Sequence, residues 1–197
     1  MLSLSEFVRK NHKTHLIFDF DATLVLIHLP WSEWGEAIRE ELLSLDSKLF
    51  YDWGEGPRVS AMRNAYVRVH GDKAHALFHR YNTQFEHGYT GATPNHELIA
   101  EVAELRKEYK LYVWSSNVRS VLDELLGQVG LAGWFDKIIS GDDVRLFKPD
   151  PEGFELLKEP GVSKKAYLMI GDSTNDRHAA EAAGIDFYHT DFFNQGI

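Results

Sequence analysis

The chain has 197 residues, of which 44% are hydrophobic, so it is long enough and apolar enough to bury a substantial core. It contains no cysteine, which excludes disulfides, thiolate metal sites and a cysteine nucleophile. The formal net charge of −9 argues against general binding to nucleic acids, because that function requires a basic surface.

The first fifteen residues lack the apolar stretch of a signal peptide. No apolar run in the sequence approaches the roughly 18 residues expected of a membrane span. We therefore expect a cytoplasmic protein that does not associate with membranes. A monomer and a homodimer are both compatible with the sequence.

Five apolar runs predict buried strands, and helical patterns separate the later four. The strands are predicted at residues 15–20, 111–115, 136–140, 166–171 and 185–190. Helices are predicted over residues 95–109 and 118–129, around Phe154 and Leu157, and over residues 175–183. The alternation of strand and helix is typical of a doubly wound α/β fold with a parallel sheet, in which ligands bind at the carboxyl ends of the strands.

Far more residues separate the first two strands than one crossover helix needs. Residues 31–87 are predicted to be helical, because apolar side chains recur every three or four positions. The stretch GYTGATP at 88–94 is rich in turn residues and is predicted to be a return linker. We therefore expect a small α-helical domain at 29–92, inserted into a sheet domain formed by residues 1–28 and 93–197.

The second half of this insertion is basic, although the protein as a whole is acidic. Its basic residues are Arg58, Arg63, Arg68, Lys73 and Arg80. Such a segment could face an anionic ligand, but a solvated helix face would have the same composition. The sequence does not show which of these side chains point inward.

Polar side chains follow the first four predicted strands at the points where these strands end. They are Asp19 and Asp21, then Ser115 and Ser116, then Lys148, then Asp172 and Asp176. Clustered carboxylates repel each other, and a divalent cation with hard oxygen ligands, such as Mg²⁺, would relieve this repulsion. Lysine and hydroxyl donors suit a phosphate group. One carboxylate could then attack phosphorus while a second transfers a proton.

The segments DFDATL, LYVWSSN, RLFKPDPEGF and GDSTNDRHAAEAAG follow each other in this order along the chain. Together they resemble the four motifs of the haloacid dehalogenase superfamily, and the resemblance covers residues 15–190. It implies that Asp19 is a nucleophile and a Mg²⁺ ligand. It also implies that Asp21 is the general acid/base, with its backbone carbonyl on the same metal.

The resemblance further assigns binding of the transferring phosphoryl group to Ser115 and Lys148. Ser116, which we also predict to bind phosphate, stands where many members of the family have asparagine, and Asn117 follows one place later. Asp172 would ligate Mg²⁺ directly, and Asp176 would either ligate it or orient its ligands.

The first motif departs from the family pattern at one position, where Ala22 replaces the usual glycine. Alanine has less backbone freedom than glycine, so this change restricts the turn that follows Asp21.

Within the superfamily, Asp21 favours phosphoryl transfer, because the dehalogenase branch does not keep an aspartate at this position. The phosphonatase branch needs a Schiff-base lysine from the insertion, where only Lys48 and Lys73 occur, in no recognisable context. The helical insertion after the first motif resembles the phosphoglycolate phosphatase-like branch. The resemblance thus implies a Mg²⁺-dependent phosphatase that hydrolyses a small phosphorylated metabolite through an aspartyl-phosphate. A phosphomutase of the β-phosphoglucomutase type and a catalytically silent binding or regulatory module remain as alternatives.

Overall fold

A computed structural model describes residues 2–51 and 59–191 of the chain. Its strands are β1 (His15–Phe18), β2 (Val25–Ile27), β3 (Ala92–Pro94), β4 (Lys110–Trp114), β5 (Lys137–Ile139), β6 (Tyr167–Gly171) and β7 (Asp186–His189). Five of these form one parallel sheet in the order β5-β4-β1-β6-β7. The predicted fold class and the five predicted strands are therefore confirmed, with β1 ending at Phe18, one residue before Asp19.

The helices are α1 (Leu4–Lys10), α2 (Trp31–Asp46), α3 (Val59–His70), α4 (Asp72–Glu86), α5 (His96–Leu105), α6 (Arg119–Gln128), α7 (Glu152–Leu157) and α8 (Thr174–Ala183). Helix α1 was not predicted from the sequence. It begins with a capping box, in which Ser3 and Glu6 each accept a hydrogen bond from the other's backbone N–H. In the described part of the chain, no helix combines the length and the hydrophobicity needed to cross a lipid bilayer.

The sheet is covered by apolar clusters on both faces, which is why its central strands are buried. Leu16 and Phe18 of β1 pack into one cluster with side chains of α1, α5 and α6. Ile17 points the other way, into a cluster with side chains of α7 and α8. Successive strand residues face opposite sides of a sheet, so a strand covered on both faces is apolar throughout. This two-sided packing is the doubly wound arrangement.

Strands β2 and β3 form a small antiparallel sheet at the two ends of the helical insertion. Val25 pairs with Pro94, and Ile27 pairs with Ala92. The prediction that 88–94 is only a linker is therefore incomplete. A three-residue strand that contains proline carries almost no local signal, and its partner lies far away in the sequence.

Helices α2, α3 and α4 pack around a hydrophobic cluster of their own. Its buried members are Trp34, Ile38, Leu42, Met62, Tyr66, Val67, Ala74 and Phe78. The helical periodicity predicted for the insertion is present in the described residues, while 52–58, including Arg58, lie outside them. The boundaries 1–28, 29–92 and 93–197 stay a prediction, although the insertion does have a separate core.

Candidate active site

The Lys148 ammonium group links the carboxyl ends of three adjacent strands. It donates hydrogen bonds to Asp19 Oδ1 at 2.6 Å and to Asp176 Oδ1 at 2.6 Å. A third hydrogen bond goes to the carbonyl oxygen of Trp114, at 2.9 Å. Asp19 follows β1, Trp114 ends β4, and Asp176 lies in the first turn of α8, which follows β6. Because these strands are parallel neighbours, their ends deliver the three groups to one edge of the sheet.

Asp176 has a second structural role at the start of α8. Its Oδ2 accepts hydrogen bonds from the backbone N–H and the hydroxyl of Ser173, while Ser173 Oγ accepts from the Asp176 N–H. This capping box fixes the carboxylate next to Lys148. Gly171 is required beneath it, because a Cβ at that position would lie 2.6 Å from the Asp176 carboxyl group.

The turn after β1 directs Asp21 and Asp172 toward the same edge. Asp21 Oδ1 accepts a hydrogen bond from the Ile27 N–H at 2.9 Å. Ala22 adopts a φ of 59°, a left-handed conformation that glycine takes without a steric penalty. The next residue, Thr23, is buried, and its hydroxyl donates to Asp172 Oδ1 at 3.3 Å. A strained turn thus holds both carboxylates at the site.

The residues after β4 form a small polar turn of their own. The Ser115 hydroxyl donates to Asn117 Oδ1 at 2.7 Å and accepts from the Asn117 N–H at 3.1 Å. Ser115 and Asn117 are buried, and both line the same cavity as Ser116. The turn therefore presents hydroxyl, amide and backbone groups beside Lys148.

Burial and crowding of negative charge perturb the acids of this site. Burial raises the pKa of Asp19 well above its usual range, and the neighbouring Asp176 raises it further, although Lys148 opposes both effects. Burial raises the pKa of Asp21 to about 6. Burial also raises the pKa of Asp172, with Asp176 adding to the effect. Burial alone would lower the Lys148 pKa, but Asp176 and Asp19 outweigh it and raise the pKa.

These carboxylates suit a divalent metal ion. One carboxylate oxygen from each of Asp19, Asp172 and Asp176 lies within 4.8 Å of the other two. Hard oxygen donors with excess negative charge match the requirements of Mg²⁺. Both oxygens of Asp176 already accept hydrogen bonds, from Lys148 and Ser173. This residue is therefore better placed to orient the ligands of a metal ion than to bind the ion itself.

The site opens into a cavity of about 690 Å³ between the sheet edge and the inserted helices. The structure brings together every site residue predicted from the sequence, because all of them line this cavity. They are Asp19, Asp21, Ser115, Ser116, Lys148, Asp172 and Asp176. The opposite wall comes from the insertion and includes the aromatic side chains of Trp31, Trp34, Tyr51 and Phe78. The volume lies in the range of pockets that enclose a small-molecule ligand.

Sequence reasoning did not assign several polar residues of this cavity. Arg63, Asn82, Glu86 and Asn117 all line it. Asn117 directly follows the two predicted serines, so its position in the second motif could have indicated it. The other three lie on α3 and α4, where helical periodicity does not show which face meets the sheet domain.

Glu86 is a buried carboxyl group at the end of α4. Its Oε2 accepts a hydrogen bond from the Val118 N–H at 2.8 Å, at the start of α6. Burial raises its pKa to about 7, and the negative charge of Asp21 contributes, while the hydrogen bonds of Val118 and Asn117 oppose the shift. The folded state therefore holds a proton on Glu86 at pH values at which the same side chain is ionised in the unfolded chain.

Glu86 should make stability depend on pH. Between pH 4.5, the reference pKa of the side chain, and its folded pKa of about 7, the folded state binds more protons than the unfolded state. Stability therefore falls as the pH rises through this window, and Glu86→Gln should remove that loss. We expect the stability of this variant relative to wild type to rise by roughly 1–3 kcal/mol between pH 5 and pH 8, measured by urea unfolding. An equal difference at both pH values would contradict the prediction, and the exposed Glu104→Gln serves as the control.

Comparisons with known proteins agree with this architecture. Over 186 residues, the chain is 26% identical to the pyrophosphatase PpaX of Bacillus velezensis, covering 87% of this chain and 80% of that protein. It is 32% identical over 130 residues to a phosphoglycolate phosphatase of Cupriavidus necator, covering 65% of this chain and 55% of the relative. A solved structure of a predicted phosphoglycolate phosphatase from Haemophilus somnus has a TM-score of 0.59, with 19% identity over 90% of this chain and 84% of that chain. At this identity the structural match shows the fold alone.

The sheet topology and the carboxylate–lysine cluster at its edge thus occur in a chain whose relatives include proteins named pyrophosphatase and phosphoglycolate phosphatase. The haloacid dehalogenase-like hydrolase family model matches residues 16–190. The chain belongs to this family, as the four sequence motifs indicated.

Proposed function

We propose that this protein is a Mg²⁺-dependent phosphatase that hydrolyses a small phosphomonoester through an aspartyl-phosphate intermediate. The observation that carries this proposal is the placement of Asp19, in a cavity of ligand size, within hydrogen-bonding distance of Lys148 and next to two further carboxylates. The names of the relatives, pyrophosphatase and phosphoglycolate phosphatase, support the same class of reaction.

Asp19 is the proposed nucleophile. Its carboxylate oxygen attacks phosphorus, the bond between phosphorus and the leaving-group oxygen breaks, and the phosphoryl group is transferred to Asp19. Lys148, Ser115 and Ser116 bind the phosphoryl oxygens. The positive charge of Lys148 stabilises the Asp19 carboxylate before attack and the negative charge of the phosphoryl group during transfer.

Asp21 is the proposed general acid/base. In its protonated form it gives a proton to the departing oxygen, and its carboxylate then takes a proton from the water that attacks the aspartyl-phosphate. Its raised pKa, about 6, is compatible with both protonation states near neutral pH. The bond from the Ile27 N–H holds one carboxylate oxygen and thereby orients the side chain.

The carboxylates of Asp19 and Asp172 and the backbone carbonyl of Asp21 would hold Mg²⁺, with Asp176 as a further ligand or an orienting residue. When bound, the ion supplies charge neutralisation between the anionic nucleophile and the anionic substrate.

Residues 29–92 are proposed to act as a cap that closes over the cavity. The Asn64 side chain accepts from the Phe147 N–H at 2.9 Å and donates to the Phe147 carbonyl at 2.6 Å. Phe147 directly precedes Lys148, so docking of α3 also fixes the backbone that carries the lysine. A closed cap would exclude water during attack by Asp19.

Turnover of 4-nitrophenyl phosphate, with Mg²⁺ and with EDTA, tests the proposal. We expect hydrolysis with Mg²⁺ and its loss in EDTA. A panel of metabolite phosphates then distinguishes the alternatives. Phosphoryl transfer between two positions of a sugar would indicate a mutase, and Mg²⁺ binding without any turnover would indicate a silent module.

Asp21→Asn should slow turnover by roughly a hundredfold to ten-thousandfold, because the proton donor for the leaving group and the base for water are both lost. With 4-nitrophenyl phosphate, whose leaving group needs little protonation, loss of the base should dominate and phosphoenzyme should accumulate. Acid quench followed by mass spectrometry measures this species. Absence of the phosphoenzyme, or wild-type turnover, would contradict the assigned role.

A further inference from the structure

Arg63 is a buried cation in the wall of the cavity, and it is 3% exposed. Its Nη1 donates to the Arg145 carbonyl at 3.0 Å and to Asn64 Oδ1 at 3.3 Å, both neutral acceptors. Its buried Nε has no hydrogen-bond partner among the described residues. Within residues 2–51 and 59–191, no carboxylate forms an ion pair with it.

Two other arginines of the insertion differ from Arg63 in this respect. Arg68 pairs with Asp150 at 2.8 Å, and Arg80 pairs with Glu41 at 2.6 Å. The side chains of both arginines are more than half exposed. Among these three arginines, Arg63 is therefore the one that is both buried and without an ion-pair partner in the described part of the chain.

A buried charge is costly unless it is paired. Part of the cost is offset by aromatic contacts, because the guanidinium lies 3.5 Å from the Phe147 ring centroid and 5.9 Å from that of Phe78. Burial lowers the pKa of Arg63 to about 10, so the side chain stays protonated at neutral pH. The cavity wall thus contains a positive charge that Glu152 partly offsets but with which no described carboxylate forms an ion pair.

The position of Arg63 relative to the reaction centre limits what it can bind. It stacks on Phe147, which directly precedes Lys148 in the chain, and both cations line the same cavity. Lys148 is engaged by Asp19 and Asp176, whereas Arg63 has no such partner. A substrate that occupies this cavity with its phosphoryl group at Lys148 therefore has Arg63 in the wall around its leaving group.

We propose that Arg63 is a specificity-determining residue that binds a second anionic group, a carboxylate or a phosphate, on the leaving group of the substrate. The preferred substrates are therefore short phosphomonoesters that carry a second negative charge. This inference rests on the proposed phosphatase function and names the substrate class of the same site.

Matched ester pairs test this assignment. 2-Phosphoglycolate and ethyl phosphate differ only in a carboxylate that replaces a methyl group, and propane-1,3-diyl bisphosphate and propyl phosphate form the corresponding pair for a second phosphate. In at least one pair, we expect wild type to have the higher kcat/KM for the ester that carries the second anionic group. Arg63→Met should lower this preference by about tenfold or more, mainly through KM, while hydrolysis of the simple alkyl ester changes little.

Two further variants serve as controls. Arg63→Lys keeps the charge but loses the planar fork, so it should retain part of the preference and also reports on the site if the methionine variant does not fold. Arg80→Met removes an exposed arginine of the same domain and should leave the preference unchanged. Equal losses for all esters would mean that Arg63 only docks α3 onto the loop before Lys148, and would overturn the inference. A wild-type enzyme without preference in either pair would overturn it as well.

Binding to Asp19→Asn, measured by calorimetry, separates this inference from the proposed function. Because this variant lacks the nucleophile, it reports affinity for intact esters. Tighter binding of the anionic ester that is lost in Asp19→Asn/Arg63→Met supports the anion subsite even if wild type hydrolyses no ester, in which case the phosphatase function alone fails. Equal affinities for both members of each pair would overturn the anion subsite.

Discussion

Asp19→Asn is expected to lower phosphomonoester hydrolysis by at least about a thousandfold, because an amide cannot form the aspartyl-phosphate. Asparagine has nearly the same shape as aspartate and can still accept the hydrogen bond from Lys148. Lys148 also keeps its ion pair with Asp176, so the variant should remain folded. The loss would therefore report on chemistry rather than on structure.

The measurement is kcat/KM for 4-nitrophenyl phosphate at saturating Mg²⁺, with circular dichroism and thermal unfolding as checks of the fold. Asp123→Asn is the matched control, because Asp123 is a half-exposed aspartate on α6 whose ion pair with Arg119 is 3.8 Å long. Its activity should equal that of wild type. If Asp19→Asn kept more than a tenth of wild-type activity, the covalent mechanism would be wrong.

Lys148→Met should have the largest effect on stability. Lys148 is 4% exposed and forms ion pairs of 2.6 Å with both Asp19 and Asp176. Its removal leaves two buried carboxylates without a counter-charge, a change that typically costs about 3–5 kcal/mol. We expect a loss of this size in the unfolding free energy when no divalent cation is present.

Mg²⁺ should restore part of this loss, because it binds the folded carboxylate cluster and not the unfolded chain. Urea unfolding in EDTA and in Mg²⁺ measures both effects. The double variant Asp19→Asn/Lys148→Met should lose less stability than the sum of the single changes, since one unpaired carboxylate is gone. Lys110→Met removes an exposed ion pair with Asp136 and should cost far less stability than Lys148→Met, because solvent screens exposed ion pairs. A similarly small loss for Lys148→Met would contradict this account.

The amino-acid sequence predicted the sheet and the residues at its edge because their signals are local. Each core strand is an apolar run, and each proposed site residue lies within a few positions of such a run or in a motif that follows it. Asp19 is covalently next to β1, so predicting the strand also places the carboxylate. The same reasoning placed Ser115 after β4 and Asp172 after β6.

Other features escaped prediction because they depend on distant partners. The pairing of β2 with β3 joins two short segments from opposite ends of the insertion. Asp176 combines a capping box with an ion pair to Lys148, and the sequence analysis predicted neither of these contacts. Glu86 gains its raised pKa only when α4 packs against the start of α6.

The sequence by itself determined the family, the fold class and most of the polar residues at the carboxyl edge of the sheet, because these follow from periodicity and short-range motifs. The tertiary structure alone decided which face of each inserted helix meets the cavity. The sequence does not distinguish Arg63, Arg68 and Arg80, because all three are arginines in one basic segment. Of these three, only Arg63 is buried against Phe147 and forms no ion pair with a described carboxylate. Whether a charged side chain is paired depends on which residues pack against it. Arg63 and Asn64 of α3 pack against the loop before Lys148.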